Sequence, residues 1–597
     1  MEFGAELAAF GAVRFRLWAP AAEMIALEVE GEQDALSLQP CAGGWHELVT
    51  PRAHPGTRYR FVLPDGTRVP DPASRYQPED VHGPSEVMDP KSYIWGDVEW
   101  RGRPWSQAVI YELHVGTFTE EGTFRAIVEK LDYLVALGVT AIQIMPIADF
   151  PGKRNWGYDG VLLYAPDSSY GRPEDMKALV DAAHARGLMV LLDVVFNHFG
   201  PDGNYLPLYA PQTFTNHHKT PWGDAINYDS EGSHVVRQFA VHNALYWLEE
   251  FHLDGLRFDA VHQIKDDSPE HLLDELARRI RAKDWGRPIH LVLENERNQA
   301  TRLQRNQHGE PVEYTAQWND DIHHVLHTAA TSENHAYYKD YAEATDKLGR
   351  ALAEGFAFQG EQMESTGSER GEPSADLPPT AFVSFIQNHD QIGNRAFGDR
   401  IHAIAPAEAV RAVAAVYLLL PQTPMLFMGE EWGTRRSFPF FCDFPGELGK
   451  LVREGRREEF AGFPEFADPK QREKIPDPGS EQTFRSGKLD WQELSQADHA
   501  QWLNWYKSIL QVRREQIMPL INQIGGHAAQ YRVLGRNAIL TCWKVGGSQE
   551  LTLQANLSDG ILEAVLTEDG RTLWNEGPIL DDNRMGPWSL RWSLQEK

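Results

Sequence analysis

Met189-Val190-Leu191-Leu192-Asp193-Val194-Val195, running on into Phe196-Asn197-His198, decides the fold. The run is short, almost wholly apolar and rich in β-branched residues, the pattern of a strand buried on both faces of a parallel sheet. Comparable runs recur on either side of it, at 109–115, 141–145, 255–259, 289–294, 313–318, 381–387 and 425–428. Amphipathic stretches separate them, so strands alternate with crossover helices. Together the runs predict an α/β architecture, a (β/α)8 TIM barrel.

Outward from the barrel the texture changes. Near the start, Val13-Arg14-Phe15-Arg16-Leu17-Trp18, Ile25-Ala26-Leu27-Glu28-Val29, Trp45-His46-Glu47-Leu48 and Tyr59-Arg60-Phe61-Val62 alternate between apolar and polar residues. Short alternating strands broken by turn residues predict an N-terminal, immunoglobulin-like β-sandwich domain over 1–97. The stretch 70–105 is rich in Pro, Gly and Asp and reads as a linker wrapping onto the next domain. The catalytic barrel is placed at 98–516. Its aromatic- and His-rich span 197–233 is too long for an ordinary loop and reads as an inserted subdomain. A helix over 500–514 closes the barrel. Alternation resumes at 538–545 and 550–556, predicting a C-terminal β-sandwich domain over 517–597.

Composition bounds the partners. The 597 residues carry a formal charge of -29, which repels nucleic acid and anionic lipid and favours a neutral substrate. No apolar run reaches membrane-spanning length, and Met1-Glu2-Phe3-Gly4 lacks the features of a signal peptide. Three cysteines, Cys41, Cys442 and Cys542, lie far apart and read as reduced thiols of a cytoplasmic protein. The sequence sets no oligomeric state.

In a barrel of this kind function gathers at the C-terminal ends of the strands. Arg257 and Asp259 are two apart on the fourth strand and point the same way, into the barrel mouth. A neighbouring guanidinium favours the charged carboxylate that a nucleophile needs, although an Arg–Asp pair also serves simply to orient a strand. Glu294, at the end of the fifth strand, supplies a second carboxyl group. Cleavage of a glycosidic bond needs one carboxylate to attack and a protonated one to supply the leaving oxygen. Glu296 shares the parity of Glu294 and competes for that role. Asp390, after His389 at the seventh strand, is a third carboxylate suited to hold hydroxyls of a distorted sugar. His198 and His389 are candidate hydrogen-bond donors in the same mouth. Within Asn155-Trp156-Gly157-Tyr158-Asp159-Gly160, Tyr158 and Trp156 are aromatic candidates for substrate contact. After the sixth strand, Asp320 is a candidate for the leaving end of the substrate, along with Trp318, Asn319, Asp321 and His323. A helix start capped by Asp explains the same residues.

Together these blocks resemble the alpha-amylase family of glycoside hydrolases. Asp193 to His198, Gly255 to Ala260, Glu294 with its strand, and Asn388 to Asp390 match the family's four short blocks in order. The resemblance implies Asp259 as nucleophile, Glu294 as acid/base and Asp390 as transition-state stabiliser. It also implies that Arg257, His198, His389, Asp193 and Tyr158 line the subsite of the attacked glucose. Ala12 to Pro20 resembles the sandwich domain of the branching, debranching and trehalose-releasing members. The later blocks Asn394 to Arg400, Phe427 to Trp432, Phe440 to Phe444 and Gly455 to Phe460 resemble the trehalose-releasing members in particular. The implied activity is hydrolysis of the alpha-1,4 bond beside a terminal trehalose unit. A 1,4-alpha-glucan branching transferase and a catalytically silent glycan-binding protein are the alternatives. No cofactor is expected. Asp202, Asn204 and Asp224 of the insert form no evident oxygen cage, so no required metal is expected either.

Overall fold

A computed structural model describes residues 3–565, 570–580 and 584–596. Eight parallel strands close into a barrel in chain order: β1 (Ile110–Leu113), β2 (Ala141–Ile144), β3 (Met189–Val194), β4 (Gly255–Phe258), β5 (His290–Leu293), β6 (Ala316–Trp318), β7 (Phe382–Ser384) and β8 (Thr423–Phe427). Each overlaps a run expected to be a strand. β6 is shorter than its run, and β8 starts earlier because Thr423 and Pro424 pair with Val383 and Ser384.

Register and parity arrange what lies inside. Asp193 pairs across to Arg257, and Arg257 to Val292. Side chains of one parity on these strands face the barrel axis. Toward the strand starts they form an apolar plug of Ile110, Ala141, Met189, Leu191, Val292, Ala316, Val383 and Met425, all fully or almost fully buried. One step of two residues further along, the same parity delivers Glu112, Gln143, Asp193 and Arg257, which are equally buried. The opposite parity (Tyr111, Ile142, Val190, Leu256, Leu291) joins the apolar layer under the outer helices. Gly255 has no room for a side chain, since a Cβ there would lie 2.2 Å from the His290 carbonyl oxygen.

Two sheets form the N-terminal sandwich. One runs Glu6–Leu7, Val13–Trp18, Trp45–Thr50, Gln39–Cys41; the other runs Leu36–Ser37, Ala26–Val29, Arg58–Val62, Arg68–Val69. Val13, Phe15, Leu17, Leu27 and Phe61 fill the space between them. The Pro-rich span that follows is a packed strap: Trp100 donates from its indole to Asp254 at 2.7 Å and stacks on His184. Between β3 and the helix Ser233–Glu250, the insert is built around a hairpin, Phe214–Thr220 with Gly223–Ile226. The closing helix Ala497–Val512 buries Tyr506, Ile509 and Leu510 against the barrel. A five-stranded sheet follows it, and its Trp592 donates to the Ala415 carbonyl on a barrel helix. No helix among the described residues is long and apolar enough to cross a membrane. Cys41, Cys442 and Cys542 form no disulfide among the described residues.

Candidate active site

Arg257 is the hub. It is wholly buried, and Trp318 on β6 lies flat against its guanidinium, 4.1 Å from carbon to ring centroid. Its Nη1 donates to Asp193 Oδ2 at 2.6 Å and to Asp259 Oδ1 at 2.8 Å, while Nη2 lies 3.7 Å from Glu294 Oε2. Three carboxyl groups from three adjacent strands thus surround one cation. A lone buried cation or carboxylate would cost several kcal/mol (~5), so the cluster is held by mutual compensation.

Backbone geometry aims the second carboxyl group. Ala260, directly after Asp259, sits in the left-handed region at φ 39°, ψ 47°. A non-glycine residue there is strained, and such strain concentrates at functional sites. The turn directs the Ala260 N–H onto Glu294 Oε2 at 2.5 Å, leaving Oε1 for a proton. Burial pushes Glu294 well above the usual carboxyl range; Arg257 opposes this, while Asp259, Asp320 and Asp390 reinforce it. That shift favours the protonated form of the Glu294 carboxyl. Glu296 lies at the rim, its side chain 64% exposed and 3.3 Å from His262.

On the other side a relay of hydrogen bonds fixes the groups that border the mouth. His389 donates from Nδ1 to Glu112 Oε1 at 2.6 Å and from Nε2 to the Tyr158 hydroxyl at 2.8 Å. Tyr158 in turn donates to Asp193 Oδ2 at 2.7 Å. Burial disfavours charge on His389, but Asp390 and Glu112 outweigh it and raise the imidazole to about 9. Both ring nitrogens are then protonated, as the relay requires. Asp193 is lifted to about 7 by burial, with Arg257 pulling down and Asp259 pushing up. Asp390 opens the short helix His389–Gly393, whose start is capped by Asn388, and its carboxylate stays partly exposed toward the mouth. His198 is lowered by burial, against Asp259 and Asp159; its Nε2 donates to the Tyr158 carbonyl at 2.8 Å.

The structure brings Asp193, His198, Arg257, Asp259, Glu294, His389, Asp390 and Tyr158 together. Asp320 also faces this group: Gln391 donates to it at 3.3 Å, and burial, opposed by Arg370 and aided by Asp390, lifts it to about 7. Trp156 sits elsewhere than expected. It is buried behind the relay, edge-on to His389, with its indole N–H on the Pro439 carbonyl, so it supports His389 and presents no face to the mouth. The helix Asp320–Thr331 is capped by Asn319, whose side chain accepts from the Ile322 N–H, and not by an Asp. Asp321 is buried against Tyr341, Asn298 and Arg370, and His323 against the Ile386 carbonyl. Asp202, Asn204 and Asp224 do not converge. They face His82, the Leu206 N–H and Lys219 respectively.

Sequence reasoning missed Glu112, the anchor of His389, though a charged residue in the apolar run 109–115 at inward parity was a usable signal. It also missed Trp222, half exposed in the hairpin turn, whose ring stacks on His198 at 4.1 Å and 2°. Nothing in the local pattern announces that contact.

Comparison with known proteins follows this geometry. The alpha amylase catalytic domain family matches residues 114–207, and a domain family of unknown function matches residues 526–592. A malto-oligosyltrehalose trehalohydrolase of Deinococcus radiodurans is 45% identical over 84% of this chain and 81% of its own. One from Saccharolobus solfataricus is 41% identical over 86% of this chain and 87% of its own. The crystal structure of a putative alpha amylase from Salmonella typhimurium superposes with a TM-score of 0.94 at 47% identity, covering 99% of both chains.

Proposed function

Since this chain belongs to the malto-oligosyltrehalose trehalohydrolase family, itself of the alpha-amylase type, we propose that Asp259, Glu294 and Asp390 perform its retaining hydrolysis. The enzyme cleaves the alpha-1,4-glucosidic bond beside the terminal trehalose unit of maltooligosyltrehalose and releases trehalose. Asp259 attacks the anomeric carbon of the glucose next to the trehalose. Glu294 gives its proton to the departing oxygen, which leaves on trehalose as a hydroxyl. The remaining glucan is then an ester on Asp259. Glu294, now a carboxylate, takes a proton from water as that water displaces Asp259, and inversion twice over leaves the alpha configuration.

The observation that carries this reading is Arg257, shared between Asp193 and Asp259 with Glu294 just beyond hydrogen-bond reach. It holds the attacking carboxylate by a direct hydrogen bond, while burial favours the protonated form of Glu294, the proton donor the reaction needs. His389, Tyr158 and Asp193 present a hydrogen-bonded edge for hydroxyls of the attacked glucose, with Asp390 3.6 Å from the His389 ring and Asp320 held by Gln391.

We read 1–97, 98–516 and 517–597 as three domains, supported by their separate sheets. A cytoplasmic location is our reading of three cysteines that form no disulfide among the described residues. The activity is tested by incubating the protein with maltotriosyl-trehalose and, separately, maltopentaose. Fast trehalose release from the first with slow attack on the second is expected. Longer branched glucans from amylose without trehalose release would make the protein a transferase.

A further inference from the structure

One side-chain cluster outside the cleft takes no part in this chemistry. The strand Phe214–Thr220 carries His217 and His218 in succession. Neighbours on a regular strand point to opposite faces. Here the pairing slips between Thr215 and Lys219, and both imidazoles turn to one side with ring centroids 4.4 Å apart. Asp267, on the chain leading away from β4, faces them. Its Oδ2 is 3.7 Å from His218 Nε2 and 4.0 Å from His217 Nε2. Asp229 stands behind: its Oδ2 holds His218 Nε2 at 2.6 Å and the Asp267 N–H at 3.0 Å.

We propose that His217, His218 and Asp267 form a binding site for a divalent transition metal of the zinc class, with Asp229, whose Oδ2 already lies on His218 Nε2, as fourth ligand. The ligand atoms all lie within 4.8 Å of one another. Tetrahedral zinc with bonds of about 2.0–2.2 Å sets ligand atoms roughly 3.4 Å apart, so the two Asp267–imidazole separations close by roughly 0.3–0.6 Å and the widest separation in the cluster by at most about 1.4 Å, a side-chain rotation. Two imidazoles with carboxylate select zinc, nickel, cobalt or copper over calcium and magnesium, which prefer all-oxygen cages. His217 and Asp267 are 64% and 77% exposed, so the site is open to solution and its metal exchangeable. The ion would join two segments distant in sequence, the hairpin and the chain after β4. The hairpin's turn carries Trp222, which lies on His198 of the cleft, so the metal would hold the hairpin over the mouth.

The test is calorimetric titration of zinc chloride into the untagged, metal-free full-length protein, beside His217→Ala and Asp267→Asn variants. One zinc per chain is expected in the parent protein and at least tenfold weaker binding in both variants. Zinc should also slow tryptic cleavage after the exposed Lys219 in the parent protein, and calcium should not. Equal zinc affinity in parent and variants, or no binding by the parent at 100 micromolar zinc, would overturn the site. Neither readout depends on the hydrolytic activity.

Discussion

The two storeys of the barrel are made from the same strands and differ by one step of two residues. Below, Leu191, Val292 and Ala316 close a dry plug; above, Asp193, Glu294 and Trp318 ring a cluster of charge. The lower storey gains from being interchangeable in kind: any apolar set of the right volume fills it. The upper storey has no such freedom, because its ionisable groups depend on one another and on the Trp318 ring against Arg257. Stability and chemistry are thus separated along each strand, and substitutions in the two storeys have opposite signatures.

The largest effect is expected above. Asp259→Ala removes the proposed nucleophile and lowers turnover of maltotriosyl-trehalose by on the order of 10⁴-fold, with the fold kept because Arg257 retains Asp193, checked by steady-state kinetics and calorimetry. Below, Leu191→Ala costs about 2–5 kcal/mol of stability, read from denaturant unfolding, while kcat stays within roughly twofold. A kinetic loss from this cavity would break the separation. Smaller again is Glu112→Gln, at the border of the storeys. It leaves the His389 imidazole with a neutral acceptor and costs roughly 10- to 100-fold in kcat, with a change in the pH profile as the imidazolium loses support.

The smallest effect concerns stability and pH. Glu294 is raised in the folded protein, so the folded state keeps a proton the unfolded state gives up. Stability therefore falls as pH rises from the unfolded value toward the folded one. Glu294→Gln removes that loss. It should raise the melting temperature by roughly 1–3 °C at pH 8 and leave it unchanged near pH 4.

Periodicity exposed the eight strands, and the chemistry at their ends exposed the carboxyl groups and Arg257, because both are local. What stayed hidden depends on contacts between distant residues. Glu112 meets His389 across 277 positions. Trp318 was readable as an aromatic at a strand end but not as the plate beneath Arg257. Trp156 lies two residues from Tyr158 and looks like its equal; only packing against Phe438 and His389 shows that one ring is buried and the other lines the mouth. Asn319 and Asp320 were likewise ambiguous, since either suits a helix start, until the Ile322 N–H chose Asn319.

The choice between Glu294 and Glu296 tests the account most directly, since the two differ by one step along the chain and by their place in the mouth. The measurement is kcat for maltotriosyl-trehalose and for an aryl alpha-maltoside with a good leaving group, in Glu294→Gln and Glu296→Gln. The account predicts that Glu294→Gln loses about 10³-fold on the natural substrate and far less on the aryl one, with Glu296→Gln within severalfold of the parent on both. Equal losses in the two variants, or the larger loss in Glu296→Gln, would contradict it.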